Sequence, residues 1–398
     1  MNDPIVASSP KKIRQNNEIA ALRALHRAGR LSRADLARIM KLNRSSSGHI
    51  IAELTADGLV REVEEEEPVR KSHARAGRPG VLLELVPQAV LFVGIEIGVE
   101  HITCVEIDLA GTVVNVKTEP FDGPQHNAEK AIRHAIDLSL SGMPKDSLRR
   151  LEGVGISTPS QLSRDGTIHL APLLGWKNVN LVELARNELP VKVPVMVEND
   201  ANAFAIGAGY SGPELNEGVT LFVVMESGVG GGILVEGRLL RGAHGLAGEI
   251  GHMYIGGEAG SEQNLEQIVG LSSILSSYRA VTDRRGTSFD DFLADVRDRA
   301  PDAVSIAENW AKALGYALAQ ICRVIDADRI VLGGSVAKLY PLVAARLTAH
   351  MKSAQEPSFP LPTLLLNREA IYGSAFGAAC MVHQRYLSPE SNRFVGDA

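Results

Sequence analysis

The chain has 398 residues, 45 % hydrophobic and 22 % charged, and a net charge of −6. It is too long for one compact core, and no apolar run approaches the roughly 18 residues of a membrane helix; the charged start "MNDPIVASSPKKIRQ" has no apolar segment after it, so no signal peptide is expected. The charge is unevenly divided: residues 1–85 carry 15 Lys and Arg against 11 Asp and Glu, the remainder 26 against 36, so a polyanion partner is expected for the front of the chain alone.

Residues 10–50 hold ten basic residues against two acidic ones, Glu18 and Asp35. "NNEIAALRALHRAG" places Ile19, Leu22, Leu25 and His26 on one helical stripe that stops at Gly29. In "LSRADLARIMKLN", Ser32 is placed to cap a second helix, Asp35 stands at the capping-box position, and Leu36, Ile39 and Met40 form the apolar face. A short turn leads to "RSSSGHIIAELTADGLV". Here Ile50, Ile51, Leu54 and Leu59 are expected to pack inward, with Arg44, Ser45, Ser46, Ser47 and His49 in the first turn or facing outward. Helix, helix, tight turn, helix is the helix-turn-helix pattern, and short polar side chains at the start of the third helix suit phosphates and base edges. Two β-rich runs, 59–63 and 81–86, bracket a charged loop and read as a hairpin wing. Its basic half, Arg70, Lys71, Arg75 and Arg78, would approach DNA, whereas Glu64–Glu67 would repel it. Residues 12–86 are thus expected to form a separate DNA-binding domain; a small helical protein-interaction module is the competing reading.

The body is expected over 90–398. "VLFVGIEIGVEHITCVEIDLAGTVVNVKTEP" reads strand, glycine turn, strand, turn, strand. "GVTLFVVMESGVGGGILVEGRLLRG" repeats that layout about 125 residues later, implying a duplicated, two-lobed α/β fold. The glycine turns would face the cleft between lobes, where backbone N–H groups can hold phosphate oxygens. A third strand and turn, "RIVLGGSVA", follows a long apolar helix near 304–324. Between the units, "VPVMVENDANAFAIGAG" ends a strand in Glu198-Asn199-Asp200 and opens a helix of small residues. A carboxylate beside an amide at a strand's C-terminal edge suits sugar hydroxyls, and Asp200 could act as a base on one of them; the alternative is a plain Asn-Asp helix cap. "LAGEIGHMYIGGEAGSEQNLEQ" supplies Glu249 and His252, then Glu258, Glu262 and Glu266. From those residue types alone a metal site, a ligand pocket and a solvated loop all stay open. Cys104, Cys322 and Cys380 form no C-x-x-C pair and read as buried thiols of a reducing cytoplasm.

"VPVMVENDANAFAIGAG", "SGVGGGILVEGRLLRGAHGLAGEIGHM" and "IVLGGSVA" resemble the signature segments of the ROK family of sugar kinases and sugar-responsive repressors. "LSRADLARIMKLNRSSSGHIIAELTADGLV" and "GRPGVLLEL" resemble the winged-helix head that only its repressor branch carries. The resemblance spans about residues 15–385. It implies a winged helix-turn-helix followed by an actin-like, ribonuclease-H-like body, with sugar contacts from Asn199, Asp200, Glu249, His252 and Glu266.

Departures from the family pattern sharpen the expectation. The family's zinc block supplies three cysteines beside the histidine; "GEAGSEQNLEQ" holds none, and tetrahedral zinc needs four N or S ligands, so no metal and no cofactor are expected. Glu258 and Glu262 then read as surface residues. The first phosphate turn, D-x-G-G-T-K in the family, is Glu96-Ile97-Gly98-Val99-Glu100-His101 here, and the second, G-T-G-x-G-G-G, begins Glu226-Ser227-Gly228. Phosphoryl transfer depends on stabilising concentrated negative charge, which Glu100 and Glu226 oppose. Leu173 replaces an amide, and Pro159-Ser160-Gln161 a glycine turn, so a less hydroxylated ligand edge is expected there; Trp176 reads as a packing residue. The expectation is a cytoplasmic, repressor-type regulator that binds palindromic operator DNA as a homodimer or homotetramer and responds to a sugar. The alternatives are an active ATP-dependent sugar kinase with a DNA-binding head, and a DNA-binding protein with a vestigial body.

Overall fold

The computed structural model describes residues 10–64, 81–163, 166–255, 263–282, 287–367 and 372–388. The front of the chain forms α1 (Pro10–Ala28), β1 (Arg30–Ser32), α2 (Arg33–Ile39), α3 (Arg44–Ala56), β2 (Val60–Glu64) and β3 (Val81–Leu85). Ser32 caps α2 by accepting from the Asp35 N–H at 3.1 Å, and Asn43 caps α3 by accepting from the Ser46 N–H at 2.8 Å. β2 and β3 pair antiparallel as the expected hairpin, and β1 adds to the far edge of β3. Three residues are too few to show the alternation that marks a strand, so β1 has no sequence signal. This is the element order of a winged helix-turn-helix. Arg70, Lys71, Arg75 and Arg78 lie outside the described residues. On α2, Leu36 and Ala37 are buried, but Ile39 is 55 % exposed and does not join the apolar face.

The first lobe runs β4 (Leu91–Ile97), β5 (His101–Asp108), β6 (Val113–Pro120), α4 (Ala128–Leu140), the single turn α5 (Lys145–Leu148) and β7 (Leu151–Thr158). A small antiparallel sheet of β8 (Gln161–Leu162), β9 (Thr167–Ala171) and β10 (Trp176–Asn180) follows, then α6 (Leu181–Glu188), β11 (Val195–Asn199) and α7 (Asp200–Ser211). The second lobe runs β12 (Val219–Met225), β13 (Val229–Val235), β14 (Arg238–Leu239), α8 (Glu266–Val269), α9 (Leu271–Thr282), α10 (Phe289–Arg297) and α11 (Pro301–Ile325). It closes with β15 (Arg329–Gly333), α12 (Tyr340–Ala354), β16 (Thr363–Leu366) and α13 (Gly373–Tyr386).

The two main sheets have the orders β6-β5-β4-β7-β11 and β14-β13-β12-β15-β16. Counted within each unit, both read 3-2-1-4-5. In both, each of the first three strands runs antiparallel to its neighbour in that trio, and the last two run parallel to the first. The duplication read from the glycine-turn repeat is therefore realised strand for strand. α7 lies on β13 of the second lobe and α13 on β4 and β7 of the first, and the two helices cross. A Cβ at Gly377 would sit 1.7 Å from the Ala203 carbonyl oxygen, so only glycine lets them meet backbone to backbone.

The head does not pack as a separate unit. Leu22, Leu25, Ile51, Leu54 and Leu83 share one apolar cluster with Phe92 and Ile107 of the first sheet and Ala379 and Val382 of α13. No described helix is long and apolar enough to cross a membrane.

Candidate functional site

All five residues expected to contact a sugar line one cleft between the lobes. The parallel pair β7 and β11 ends there, and the chain turns from Asn199 straight into α7. Asn199 caps α7, accepting from the Asn202 N–H at 3.1 Å while its amide donates to the Ser160 carbonyl at 3.2 Å. The plain-cap reading thus holds for Asn199, but it does not remove the residue from the cleft. Asp200 accepts from the Ala201 N–H at 2.8 Å. Part of the residue opens to the cleft, yet protein surrounds its carboxyl. Burial first, then the charge of Glu96, pushes its pKa up to about 7.

Glu249 and His252 are held across from it by a loop that runs against β13. Gly248, at φ +93°, packs so closely that a Cβ would lie 2.0 Å from the Gly231 carbonyl oxygen. The Glu249 carboxylate stands 3.6 Å from His252 Nε2, and burial raises the Glu249 pKa. Glu266, at the start of α8, accepts from the Val229 N–H at 2.9 Å. Pro159, Ser160, Gln161 and Leu173 line the same cleft, and Trp176 is buried with its indole donating to the His126 carbonyl. Asn202 also lines the cleft and was not anticipated. It is only 4 % exposed, donates to Glu198 at 3.2 Å, and leaves its side-chain carbonyl without a donor. An amide among the alanines of "DANAFA" was the available signal.

At the other end of the cleft, Glu226 accepts from the Ser335 N–H at 2.6 Å and from the Ser335 hydroxyl. Ser227 donates to Glu100 across the gap between the two sheets. His101 lies 3.8 Å from Glu96, and that carboxylate beside it raises its pKa. The zinc donor set is not assembled. Cys104, Cys322 and Cys380 are buried in three different apolar clusters, and no group among the described residues is arranged to hold a metal. Glu258 and Glu262 lie outside the described residues.

On the head, α3 presents Arg44, Ser45, Ser46 and His49 to solvent. Ser47 is a correction. It is 2 % exposed, because residues 47, 50, 51 and 54 form one i, i+3, i+4, i+7 stripe that faces the core. Much of the head's basic charge is engaged locally. Arg30 and Arg61 both pair with Glu84, Arg33 with Glu62, and Arg38 with Asp35. His49 lies 3.4 Å from Glu53.

Head and body also meet through three polar side chains that sequence reading did not connect. The Tyr210 hydroxyl, in the last turn of α7, lies 2.8 Å from His26 Nε2 of α1 and 2.9 Å from His383 Nδ1 of α13. His383 Nε2 lies 2.9 Å from the Leu109 carbonyl, which can only accept. Burial holds the His383 pKa down to about 4, so the ring is neutral: Nε2 donates to Leu109 and Nδ1 accepts from Tyr210. Burial likewise lowers the pKa of His26, whose Nε2 shares the same hydroxyl. One helix therefore begins at the cleft and ends on the head.

Known proteins give this geometry its context. The chain is 24 % identical over 387 residues to a xylose repressor of Bacillus spizizenii, covering 94 % of this chain and 97 % of that one. A glucokinase of Halalkalibacterium halodurans is 30 % identical over 291 residues, 67 % of this chain and 86 % of the kinase. Among solved structures, a ROK family transcriptional regulator described as a homologue of the E. coli MLC protein superposes with a TM-score of 0.76 at 22 % identity, over 95 % of this chain and 98 % of that one. The sequence model of the ROK family matches residues 92–385. The chain belongs to the ROK family.

Proposed function

We propose that the chain is a sugar-responsive transcriptional repressor. Its head, about residues 12–86, binds operator DNA; its body, about 90–398, binds a sugar through Asn199, Asp200, Glu249, His252 and Glu266. The observation that carries this reading is α7. Its first residue stands in the cleft, and its last turn holds His26 of the head through Tyr210. A ligand that draws the lobes together around Asp200 favours one placement of α7 and therefore one placement of the head. Unequal affinity for two such states is all that regulation requires. The near full-length match to a xylose repressor supports the reading, because it spans the head as well as the body.

In this account Arg44, Ser45, Ser46 and His49 face the DNA. A homodimer or homotetramer presents two heads to a palindromic site, in the cytoplasm. The competing reading, an ATP-dependent sugar kinase, draws on the glucokinase relative. It is disfavoured because Glu100 and Glu226 stand where ATP phosphates need donors and positive charge. Asp200 then accepts from a sugar hydroxyl instead of removing its proton for transfer. The test is to select DNA from a random pool and repeat the gel shift with xylose, glucose or N-acetylglucosamine. A change in DNA affinity with a sugar that calorimetry shows to bind supports the proposal. Sequence-specific DNA binding that no bound sugar alters contradicts it, and ATP turnover with a sugar selects the kinase.

A further inference from the structure

We infer that the effector is an unphosphorylated sugar, and that Glu226 fills the place where a phosphate would otherwise be held. The inference rests on the reading of the cleft as a sugar site and adds the class of ligand it accepts. It follows from counting donors and acceptors. The described residues lining the cleft include Glu96, Glu100, Asp200, Glu226, Glu249 and Glu266, and neither a lysine nor an arginine; its two imidazoles, His101 and His252, each lie beside a carboxylate of the chain itself, Glu96 and Glu249. A phosphate dianion only accepts hydrogen bonds, so it needs donors or cations around it. Three residues at the glycine turns already give donors to the chain's own carboxylates. Ser335 gives its N–H and hydroxyl to Glu226, Ser227 gives its hydroxyl to Glu100, and Val229 gives its N–H to Glu266.

The Ser335 N–H is delivered by a turn built for close approach. Gly334 has φ +83°, and a Cβ there would lie 2.3 Å from the Met225 carbonyl oxygen. That donor meets the carboxylate of the chain itself. Charged acceptors outnumber cations in the cleft, and the Asn202 carbonyl is buried with no donor. A neutral sugar hydroxyl supplies a donor and still accepts, whereas a phosphate ester adds two negative charges to an acidic wall. One like charge at about 4 Å, in a partly screened site, is worth well over tenfold in affinity.

The experiment is calorimetric titration of the intact chain with glucose, xylose and N-acetylglucosamine, and with glucose 6-phosphate and N-acetylglucosamine 6-phosphate. At least one free sugar is expected to bind, and each ester at least about tenfold more weakly than its parent. In the Glu100→Gln/Glu226→Gln variant the ratio of ester to parent affinity should rise at least about tenfold. Glu226→Gln alone, which retains hydrogen bonds to Ser335, serves if the double variant fails to fold. An ester that binds the unaltered chain as tightly as its parent overturns the inference while leaving a sugar-responsive protein. A ratio unchanged in the variants overturns the role given to Glu226. Binding of neither sugars nor esters overturns the sugar reading itself, and this inference with it.

Discussion

Asp200→Asn tests the cleft most sharply, because its consequences for stability and for binding have opposite signs. The carboxyl pKa moves from 3.8 to about 7, by burial first and by the charge of Glu96 second. That displacement corresponds to about 4 kcal/mol of cost for an ionised Asp200 in the folded chain. A carboxyl whose folded pKa lies above its unfolded value destabilises in full above the folded pKa, here above about pH 7. The cost fades as pH falls toward the unfolded value. Asparagine keeps an oxygen for the Ala201 N–H and removes the charge. Without sugar, the variant should therefore be more stable than the parent at pH 8 by about 2–4 kcal/mol, and at pH 5 by less than about 2 kcal/mol. Equilibrium urea unfolding at the two pH values measures this. Sugar affinity should meanwhile fall at least about tenfold, since a charged hydrogen-bond partner is worth about 1.5–3 kcal/mol. A variant less stable than its parent at pH 8, or a gap that does not narrow at pH 5, would refute the desolvated carboxyl. Undiminished sugar affinity would refute its contact with ligand.

Arg44→Ala should weaken operator binding and lower the slope of log affinity against log salt by about 1, because each phosphate contact releases about one counterion; a gel-shift series unchanged in both respects would remove the start of α3 from the DNA. Ser47→Ala deletes a buried, unpaired hydroxyl. Operator affinity should stay within about twofold and unfolding within about 1 kcal/mol, and a loss of DNA binding equal to that of Arg44→Ala would put Ser47 back on the surface. Tyr210→Phe removes the hydroxyl shared by His26 and His383. It should reduce the effect of sugar on DNA affinity by about 0.5–2 kcal/mol while leaving each affinity alone close to normal; full sugar response in this variant would move the coupling elsewhere.

The lobes are legible in the sequence because β4 and β12 are apolar runs that end in glycine turns, and because the same layout returns in the second unit. The cleft residues are legible because carboxylates, an amide and an imidazole cluster in segments that are otherwise apolar or glycine-rich. Ser47 is misread because a hydroxyl looks like surface, although its spacing to Ile50, Ile51 and Leu54 already marks the inward stripe. The Tyr210 contacts are invisible to local pattern. Their partners are 184 and 173 residues away, and only the crossing of α7 with α13 brings them together. The shared core of head and body is hidden for the same reason, since a boundary in pattern at 86–90 says nothing about which faces later meet. Glu226 reads as a defect in a phosphate turn, and only its bonds to Ser335 reveal what it does there.

The central claim is that the cleft and the DNA-binding head are coupled through one molecule, and linkage makes that claim measurable from both sides. Operator affinity is measured with and without saturating sugar, and sugar affinity with and without saturating operator, on the same preparation. Coupling of about 1–3 kcal/mol predicts that both affinities change by one common factor, roughly five- to 150-fold. A sugar that binds in the cleft while the two operator affinities coincide would contradict the account.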